Sequence, residues 1–164
     1  LASFEGYAGE TVSTLYQLAA MILNKGQAIE TGDAAGHLGV AHAMIGHLRA
    51  FGPVAGQGRI MLPWSILEAN GVREGEIFSG TESEGLSEAL GQISELAADH
   101  LARADAAIAG LPGQLKPAFA PIAVLRAQLA HYASHSIHPF ATAPDEPDWR
   151  KITRLMWWGI SRGR

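Results

Sequence analysis

Apolar and polar positions alternate with a helical period along most of the chain. The clearest run begins at Ser83, with Glu84 in the first turn, and its apolar residues recur at alternating steps of three and four. The residues of this stripe are Leu86, Leu90, Ile93, Ala97, Leu101, Ala104 and Ile108. The pattern predicts a long helix that turns this stripe toward a core.

A second amphipathic run extends from Glu10 to Asn24. Helical spacing places its apolar positions on one face, which we expect to pack on the core. These positions are Val12, Leu15, Leu18 or Ala19, and Ile22. Lys25-Gly26 follows as a stop signal.

A third run begins after the turn at Thr31-Gly32-Asp33 and carries the stripe Leu38, Ala41, Ile45 and Leu48. It predicts a helix from Asp33 to about Phe51, ended by Gly52-Pro53. A loop then precedes Pro63, which is typical of a helix start, and a short helix is expected from Trp64 to Asn70.

The remaining segments predict further helices with short connections. We expect a loop or one isolated turn over Val72 to Thr81, a helix from Pro117 to Ser134, and a last helix from Asp148 to about Arg162. The proline-rich stretch from Ser136 to Glu146 is expected to be irregular. The sequence therefore predicts an all-α helical bundle in which residues 1–164 form one domain.

Composition narrows the possible functions. The 164 residues suffice for one sizeable core, and zero cysteines exclude disulfides and thiolate chemistry. A net charge of -4 argues against nucleic-acid binding. No stretch reaches the ~18 apolar residues of a spanning helix, and no signal peptide is evident. We expect a cytoplasmic protein, peripheral at the inner membrane if it contacts one.

Several short motifs occur in a fixed order. They are Tyr7-Ala8-Gly9, Leu38-Gly39-x-Ala41, Leu48-Arg49, Gly58-Arg59-Ile60-Met61-Leu62-Pro63, Leu67 to Gly71 and, more weakly, Asp148-Trp149-Arg150. In these motifs the chain resembles the squalene/phytoene synthase family, whose members join two prenyl diphosphates head to head. The resemblance implies an isoprenoid-synthase-type bundle. It also implies that this chain is the C-terminal portion, with a first aspartate-rich motif upstream of Leu1.

The family's reaction needs Mg²⁺ to neutralise the departing pyrophosphate, and carboxylates hold that metal. The resemblance places a second aspartate pair, four residues apart, just after the arginine that matches Arg49. Those two positions are Ala50 and Val54. The family's upstream Gln and Asn match Ala43 and Gly46, and its Tyr in the GR-x-Tyr-LP element matches Met61. We expect a catalytically degenerate member without a metal site or cofactor.

Two nearby acidic pairs do not replace the missing carboxylates. Glu84/Glu88 and Glu95/Asp99 have the required spacing, but they lie off the apolar stripe of their helix. We expect both pairs to be solvated helix surface.

Two functional readings follow from the resemblance. Leu48-Arg49-Ala50 before a Pro-containing loop, with Tyr7-Ala8-x-x-Thr11 and Ser13, is similar to the non-catalytic branch that includes a mitochondrial complex I assembly factor. This favours binding of an isoprenoid or a protein partner. The alternative is a Mg²⁺-dependent prenyl diphosphate transferase with an atypical second metal motif.

Arg49 and Arg59 are the candidate ligand-binding residues. In the family's fold they would face the diphosphate cavity, and the guanidinium fork suits phosphate oxygens of a prenyl diphosphate or a lipid. The competing interpretation is that Arg49 pairs with a carbonyl or an acid at the helix end.

His131, His135 and His138 have a spacing that could gather imidazoles on one side of a helix. Pro139 disfavours helical geometry at His138, so we interpret them as helix-end residues. His37, His42 and His47 are interpreted as individual core or surface residues.

The C-terminal segment 148–164 carries five of the twelve Lys and Arg residues, interleaved with Trp, Ile, Leu and Met. We favour a terminal helix that docks its Trp face on the bundle and leaves its charges in water. Peripheral contact with an anionic membrane is the alternative.

Overall fold

The computed structural model describes residues 1–135, 138–143 and 145–162, and every regular element in these ranges is helical. The α-helices are α1 (Ala2–Ala8), α2 (Thr14–Leu23), α3 (Gly32–Arg49), α4 (Phe51–Ala55), α5 (Trp64–Ala69), α6 (Glu74–Phe78), α7 (Glu84–Ala109), α8 (Ile122–His135) and α9 (Asp148–Arg162). A π-helical turn, Gly9–Ser13, joins α1 to α2, and a 3-10 segment, Gly113–Phe119, precedes α8. The predicted all-α class is confirmed.

Helices α3 and α7 form the centre of the fold. Every residue of the predicted α7 stripe is buried, and Ser83 caps the helix by accepting a hydrogen bond from the Leu86 amide at 3.2 Å. From α3, Leu38, Met44 and Ile45 enter the same apolar cluster. The sequence prediction for α7 is therefore confirmed in extent and in the face that it buries.

The predicted core face of the second run is wrong at Leu15, Leu18 and Ile22, although Val12 packs against the core. Leu15, Leu18 and Ile22 are exposed by 64%, 51% and 67%, while Tyr16 and Ala20 are buried in their place. The helix also begins earlier than expected, since α1 and the π-helical turn extend it back to Ala2. The small Ala20 lies on the buried face, and the Tyr16 ring stacks on Phe119 with the two centroids 6.0 Å apart.

Gly39 marks the point of closest approach. A Cβ atom at this position would lie 2.1 Å from Ser13 Oγ and 2.6 Å from the Ser13 backbone nitrogen. Ser13 is buried in the π-helical turn, and its hydroxyl lies 3.4 Å from the Gly36 carbonyl oxygen, to which it donates. The glycine of the Leu38-Gly39-x-Ala41 motif is therefore needed for helix crossing.

The end of α3 also differs from the expectation. Helix α3 ends at Arg49, and Ala50 separates it from α4. Gly52-Pro53, expected to terminate the helix, lie inside α4. Pro53 is the third residue of α4. Amides in a first turn have no intrahelical partner, so the missing N–H of proline costs no hydrogen bond there.

The helix predicted from Pro117 begins later. Pro117 lies inside the 3-10 segment, and α8 starts only after Pro121, whose carbonyl accepts from the amides of Val124 and Leu125. Two prolines close together thus delay the regular α-helix. The expected isolated turn before Thr81 is the short helix α6. No helix among the described residues is long and apolar enough to cross a membrane.

Candidate functional site

The junction between α3 and α4 holds the two positions at which the family resemblance places metal ligands. Ala50 lies between the helices and Val54 is in α4, and both are half-buried. A methyl and an isopropyl group offer no oxygen to a cation. Within the ranges that the structure describes, no group of three or more His, Cys, Asp or Glu side chains could hold a metal ion.

A segment that follows α8 packs on this junction. A Cβ atom on Gly52 would lie 2.1 Å from the Phe140 carbonyl oxygen, so glycine is required for the contact. The rings of Phe51 and Phe140 lie 5.4 Å apart between centroids. Phe140 therefore fixes the segment leading toward α9 against α4.

Beside this junction, Arg49 lines a cleft of about 520 Å³. The walls come from α8 and from the start of α9, and the lining also includes Ala127, Gln128, Ala130, His131, Asp145, Glu146, Pro147, Arg150 and Arg154. The Arg49 guanidinium donates to Asp145 Oδ1 at 2.8 Å. The interpretation of Arg49 as an ion-pair partner of an acid thus matches the geometry. A role in phosphate binding stays a prediction.

The carboxylates in the cleft are held ionised. The hydrogen bond from Lys151, 2.7 Å long, and the charge of Arg49 keep the pKa of Asp145 below its usual range. The hydrogen bond from Arg154 likewise lowers the pKa of Glu146. An anionic ligand on Arg49 would have to displace the Asp145 carboxylate, which Lys151 also binds.

Sequence reasoning did not find Asp145 and Glu146. Asp145 lies 96 residues from Arg49, in a proline-rich stretch without periodicity. No local spacing connects the two residues, so only the fold brings them together. The acidic pairs Glu84/Glu88 and Glu95/Asp99 are exposed, as expected.

Arg59 does not line this cleft. It is exposed in the loop after α4, where its guanidinium donates to the side-chain oxygen of Gln57. The preceding Gly58 has a φ of 71°, which explains the glycine of the Gly58-Arg59 motif. The structure therefore does not bring Arg49 and Arg59 together in this cleft, and a phosphate contact at Arg59 stays a prediction.

The three histidines of α3 each contact another ring. His42 Nδ1 lies 2.9 Å from Tyr16 Oη, and the His47 ring packs edge-on against Phe4 at 5.8 Å. Loss of hydration lowers the pKa of His42 and of His47, and it raises the pKa of Tyr16. His42 and His47 are therefore uncharged packing partners of Tyr16 and Phe4 near neutral pH.

His37 joins a polar contact between three helices. Its Nδ1 lies 3.1 Å from Nδ1 of His100, whose Nε2 lies 3.7 Å from a Glu5 carboxylate oxygen. Burial, and then the neighbouring His37, lower the pKa of His100. The pairing spans 63 residues and has no local sequence signal.

His131 and His135 of α8 and His138 after it give no metal-site geometry in the described part of the chain. His131 lines the cleft of Arg49, and His138 Nδ1 lies 3.5 Å from Glu82 Oε1. The side chain of His135 and residues 136–137 lie outside the described residues. The interpretation of these histidines as helix-end residues stays a prediction.

Comparison with known proteins supplies the family. The profile of the squalene/phytoene synthase family matches residues 1–153. A search of curated proteins and a search of solved structures found no significant match. The matched range includes the packing glycine Gly39 and the buried residues Leu62 and Leu67 of the later motifs. With its all-helical, isoprenoid-synthase-type fold, the chain belongs to the squalene/phytoene synthase family.

Proposed function

We propose that this family member has lost the metal-dependent step and binds an isoprenoid-like phosphate through the cleft at Arg49. The observation that carries the proposal is the combination at the α3–α4 junction. Ala50 and Val54 occupy the carboxylate positions, while Arg49 remains and lines a cleft with two further arginines. Positions 50 and 54 offer no oxygen to Mg²⁺, whereas the arginines of the cleft suit phosphate.

The size and lining of the cleft fit this ligand class. A volume of about 520 Å³ lies within the usual range for small-molecule sites. Ala127 and Ala130 give the wall an apolar strip, whereas Arg150 and Arg154 provide guanidinium groups. A phosphate on Arg49 would take the place of Asp145, and an apolar chain would lie along the alanines of α8.

We further propose that the protein has a binding role of the respiratory complex I assembly type, with a protein partner. The support is the similarity to that branch at Tyr7-Ala8-x-x-Thr11 and Leu48-Arg49-Ala50. Such a protein would act in the cytoplasm or at the inner membrane. Its role requires a presented surface and a bound ligand rather than turnover.

The second candidate is a Mg²⁺-dependent head-to-head prenyl diphosphate transferase with an atypical metal motif. The observation in its favour is that Asp145 and Glu146 bring carboxylates to the cleft of Arg49. We rank it second because Lys151 and Arg154 already hold these two carboxylates. Metal binding would require both ion pairs to open.

The first experiment separates binding from turnover. Farnesyl diphosphate is titrated into the protein by calorimetry, and pyrophosphate release is followed with Mg²⁺ present. We expect binding and no release above background. Removing a charged hydrogen-bond partner in Arg49→Ala should weaken binding at least about tenfold. Asp145→Asn should strengthen binding, because it frees the guanidinium from its competitor.

Arg103→Ala is the matched control, since Arg103 lies on α7 and pairs with Asp99 outside the cleft. Arg59→Ala tests whether the loop arginine contributes as the family resemblance implies. Turnover at ordinary enzyme rates would overturn the loss of catalysis. Unchanged affinity in Arg49→Ala would overturn the assignment of the cleft.

A further inference from the structure

The apolar face of α9, which we expected to dock on the bundle, is exposed. This face is turned away from the bundle, with exposed fractions of 62% for Trp149, 54% for Ile152, 62% for Met156, 72% for Trp157 and 61% for Ile160. Helical spacing gathers Trp149, Ile152, Met156 and Ile160 into one stripe, and Trp157 flanks it. We call these five side chains the α9 outer face. The predicted docking of a Trp face is correct only for Trp158, which is 6% exposed.

The polar side of α9 faces the protein. Lys151 Nζ lies 2.7 Å from Asp145 Oδ2, and Arg154 lies 2.9 Å from Glu146 Oε1. Two of the charges predicted to remain in water, Lys151 and Arg154, are therefore paired at the edge of the Arg49 cleft. Because these ion pairs and Trp158 hold α9 in place, its outer face is left free of contacts with the described bundle.

Charge indicates what covers the outer face. Residues 145–164 contain five Lys and Arg residues and three acidic residues, a net charge of +2, and Asp145 and Glu146 already pair with Lys151 and Arg154. The chain as a whole has a net charge of -4, so positive charge is concentrated at this end. An anionic surface is the complementary partner for such a segment.

The side chains match a lipid–water boundary. Trp149 and Trp157 have large apolar rings and a polar N–H, a combination favoured at membrane interfaces. The exposed Arg150 stacks on Trp149, with its guanidinium carbon 5.2 Å from the ring centroid, at the border of the outer face. A cation at that border can reach headgroup phosphates while the rings enter the acyl region.

We propose that the α9 outer face docks on an anionic membrane surface, with the helix lying in the plane of the bilayer between the lipid and the bundle. The polar side faces the protein, where Lys151 pairs with Asp145 and Asp145 pairs with Arg49 of α3, and the lipid covers Trp149, Met156 and Trp157. This placement brings the Arg49 cleft, which α9 borders, close to the membrane surface. The proposal concerns the helix face and does not depend on what the cleft binds.

Vesicle co-sedimentation of the full chain tests the proposal. We expect binding to phosphatidylcholine vesicles that contain phosphatidylglycerol, weaker binding to pure phosphatidylcholine, and a decline with added salt. Trp157→Glu should weaken binding at least about tenfold, and the neutral Met156→Ser should weaken it by a smaller factor. Tryptophan fluorescence should shift to the blue with vesicles and shift less in Trp157→Phe.

Leu18→Glu is the matched control. Leu18 is 51% exposed on α2, so the variant places the same charge on another exposed apolar position. We expect this variant to bind vesicles like the parent chain. All variants should keep the parent's far-ultraviolet circular dichroism, because each changed side chain is exposed.

Three results would overturn the proposal. The first is equal affinity for neutral and anionic vesicles. The second is a loss in Leu18→Glu as large as in Trp157→Glu. The third is a concentration-dependent dimer in light scattering that Trp157→Glu disrupts, in a protein that binds no vesicles; this would assign the face to a second copy.

Discussion

Helices α7 and α9 carry the same kind of pattern and use it in opposite ways. In α7 the apolar stripe faces the core, and Leu86, Ile93 and Ile108 are fully buried. In α9 the corresponding stripe is exposed, Trp158 is buried where the helix packs on α8 and the 3-10 segment, and Lys151 and Arg154 pair with Asp145 and Glu146 just before the helix. An amphipathic sequence thus defines a face. The neighbouring elements determine whether that face is buried against the core or exposed.

Helix α2 behaves like α9 for a different reason. It exposes Leu15 and Ile22 and buries Tyr16 and Ala20, because the Tyr16 ring stacks on Phe119 and the chain just before α2 lies against α3 at Gly39 and Ser13. Helices α2 and α9 both contact the 3-10 segment Gly113–Phe119. In the described bundle, the exposed apolar faces of α2 and α9 therefore belong to two helices that pack on the same 3-10 segment.

The largest expected effect is on the free energy of unfolding, and it separates the buried stripe of α7 from the exposed stripe of α9. Ile93→Ala should lower the free energy of unfolding by about 2–5 kcal/mol, because it removes a fully buried side chain and leaves a cavity. Ile160→Ala, at a position 61% exposed, should change it by about 0.5 kcal/mol or less. Urea denaturation measures both. Equal losses would mean that the outer face of α9 is packed in the isolated protein.

A smaller effect is expected where the π-helical turn packs on α3. Gly39→Ala should destabilise the fold by about 1–3 kcal/mol, since its methyl group would overlap Ser13 and force the helices apart. Gly46→Ala is the control on the same helix. A Cβ atom there meets nothing within 4 Å, so the substitution should stabilise by about 0.5–1 kcal/mol through helix propensity. A neutral Gly39→Ala would argue against the close crossing.

The smallest effect concerns the ion pairs of α9 and their dependence on pH. The folded-state pKa values of Asp145 and Glu146 are lowered, so their stabilisation is present above the unfolded pKa values of about 4. This stabilisation is lost as the pH falls through the lowered pKa values of the folded state. We expect α9 to loosen in acid, with faster amide exchange in α9 and a solvated Trp158, while α7 stays protected.

Two Asp→Asn variants test which carboxylate holds α9. Asp145→Asn should produce part of it at neutral pH, because Asp145 bonds both Arg49 and Lys151. Asp148→Asn should have less effect, since Asp148 is 91% exposed and its contact to Lys151 is 3.3 Å. Identical exchange rates in α9 for the parent and Asp145→Asn would show that Trp158 alone holds the helix.

Most of the fold was accessible from local pattern. The extents of α7 and α9 and the all-α class follow from helical spacing and from caps such as Ser83. The boundary errors arose at prolines. Pro53 was expected to end a helix but lies inside α4, and Pro117 was expected to begin one but lies in the 3-10 segment. A proline removes one amide donor, and its effect depends on whether that donor was needed.

The site was only partly predictable. The motifs around Arg49 and Arg59 led to the family, and the family profile confirms that assignment. The partners of Arg49 and His37 could not be predicted, because Asp145 and His100 lie 96 and 63 residues away along the chain. Whether the positions of Ala50 and Val54 mark a loss of catalysis stays a prediction.

The sequence by itself determined the helices, their amphipathic stripes and the absence of carboxylates at positions 50 and 54. These properties depend on residue type and on spacing of a few positions, which the chain carries locally. The tertiary structure decided which stripes are buried, that Asp145 and not Arg59 meets Arg49, and that α9 turns its tryptophans outward. Each of these depends on shape and charge contributed by distant segments, whose approach only the folded chain defines.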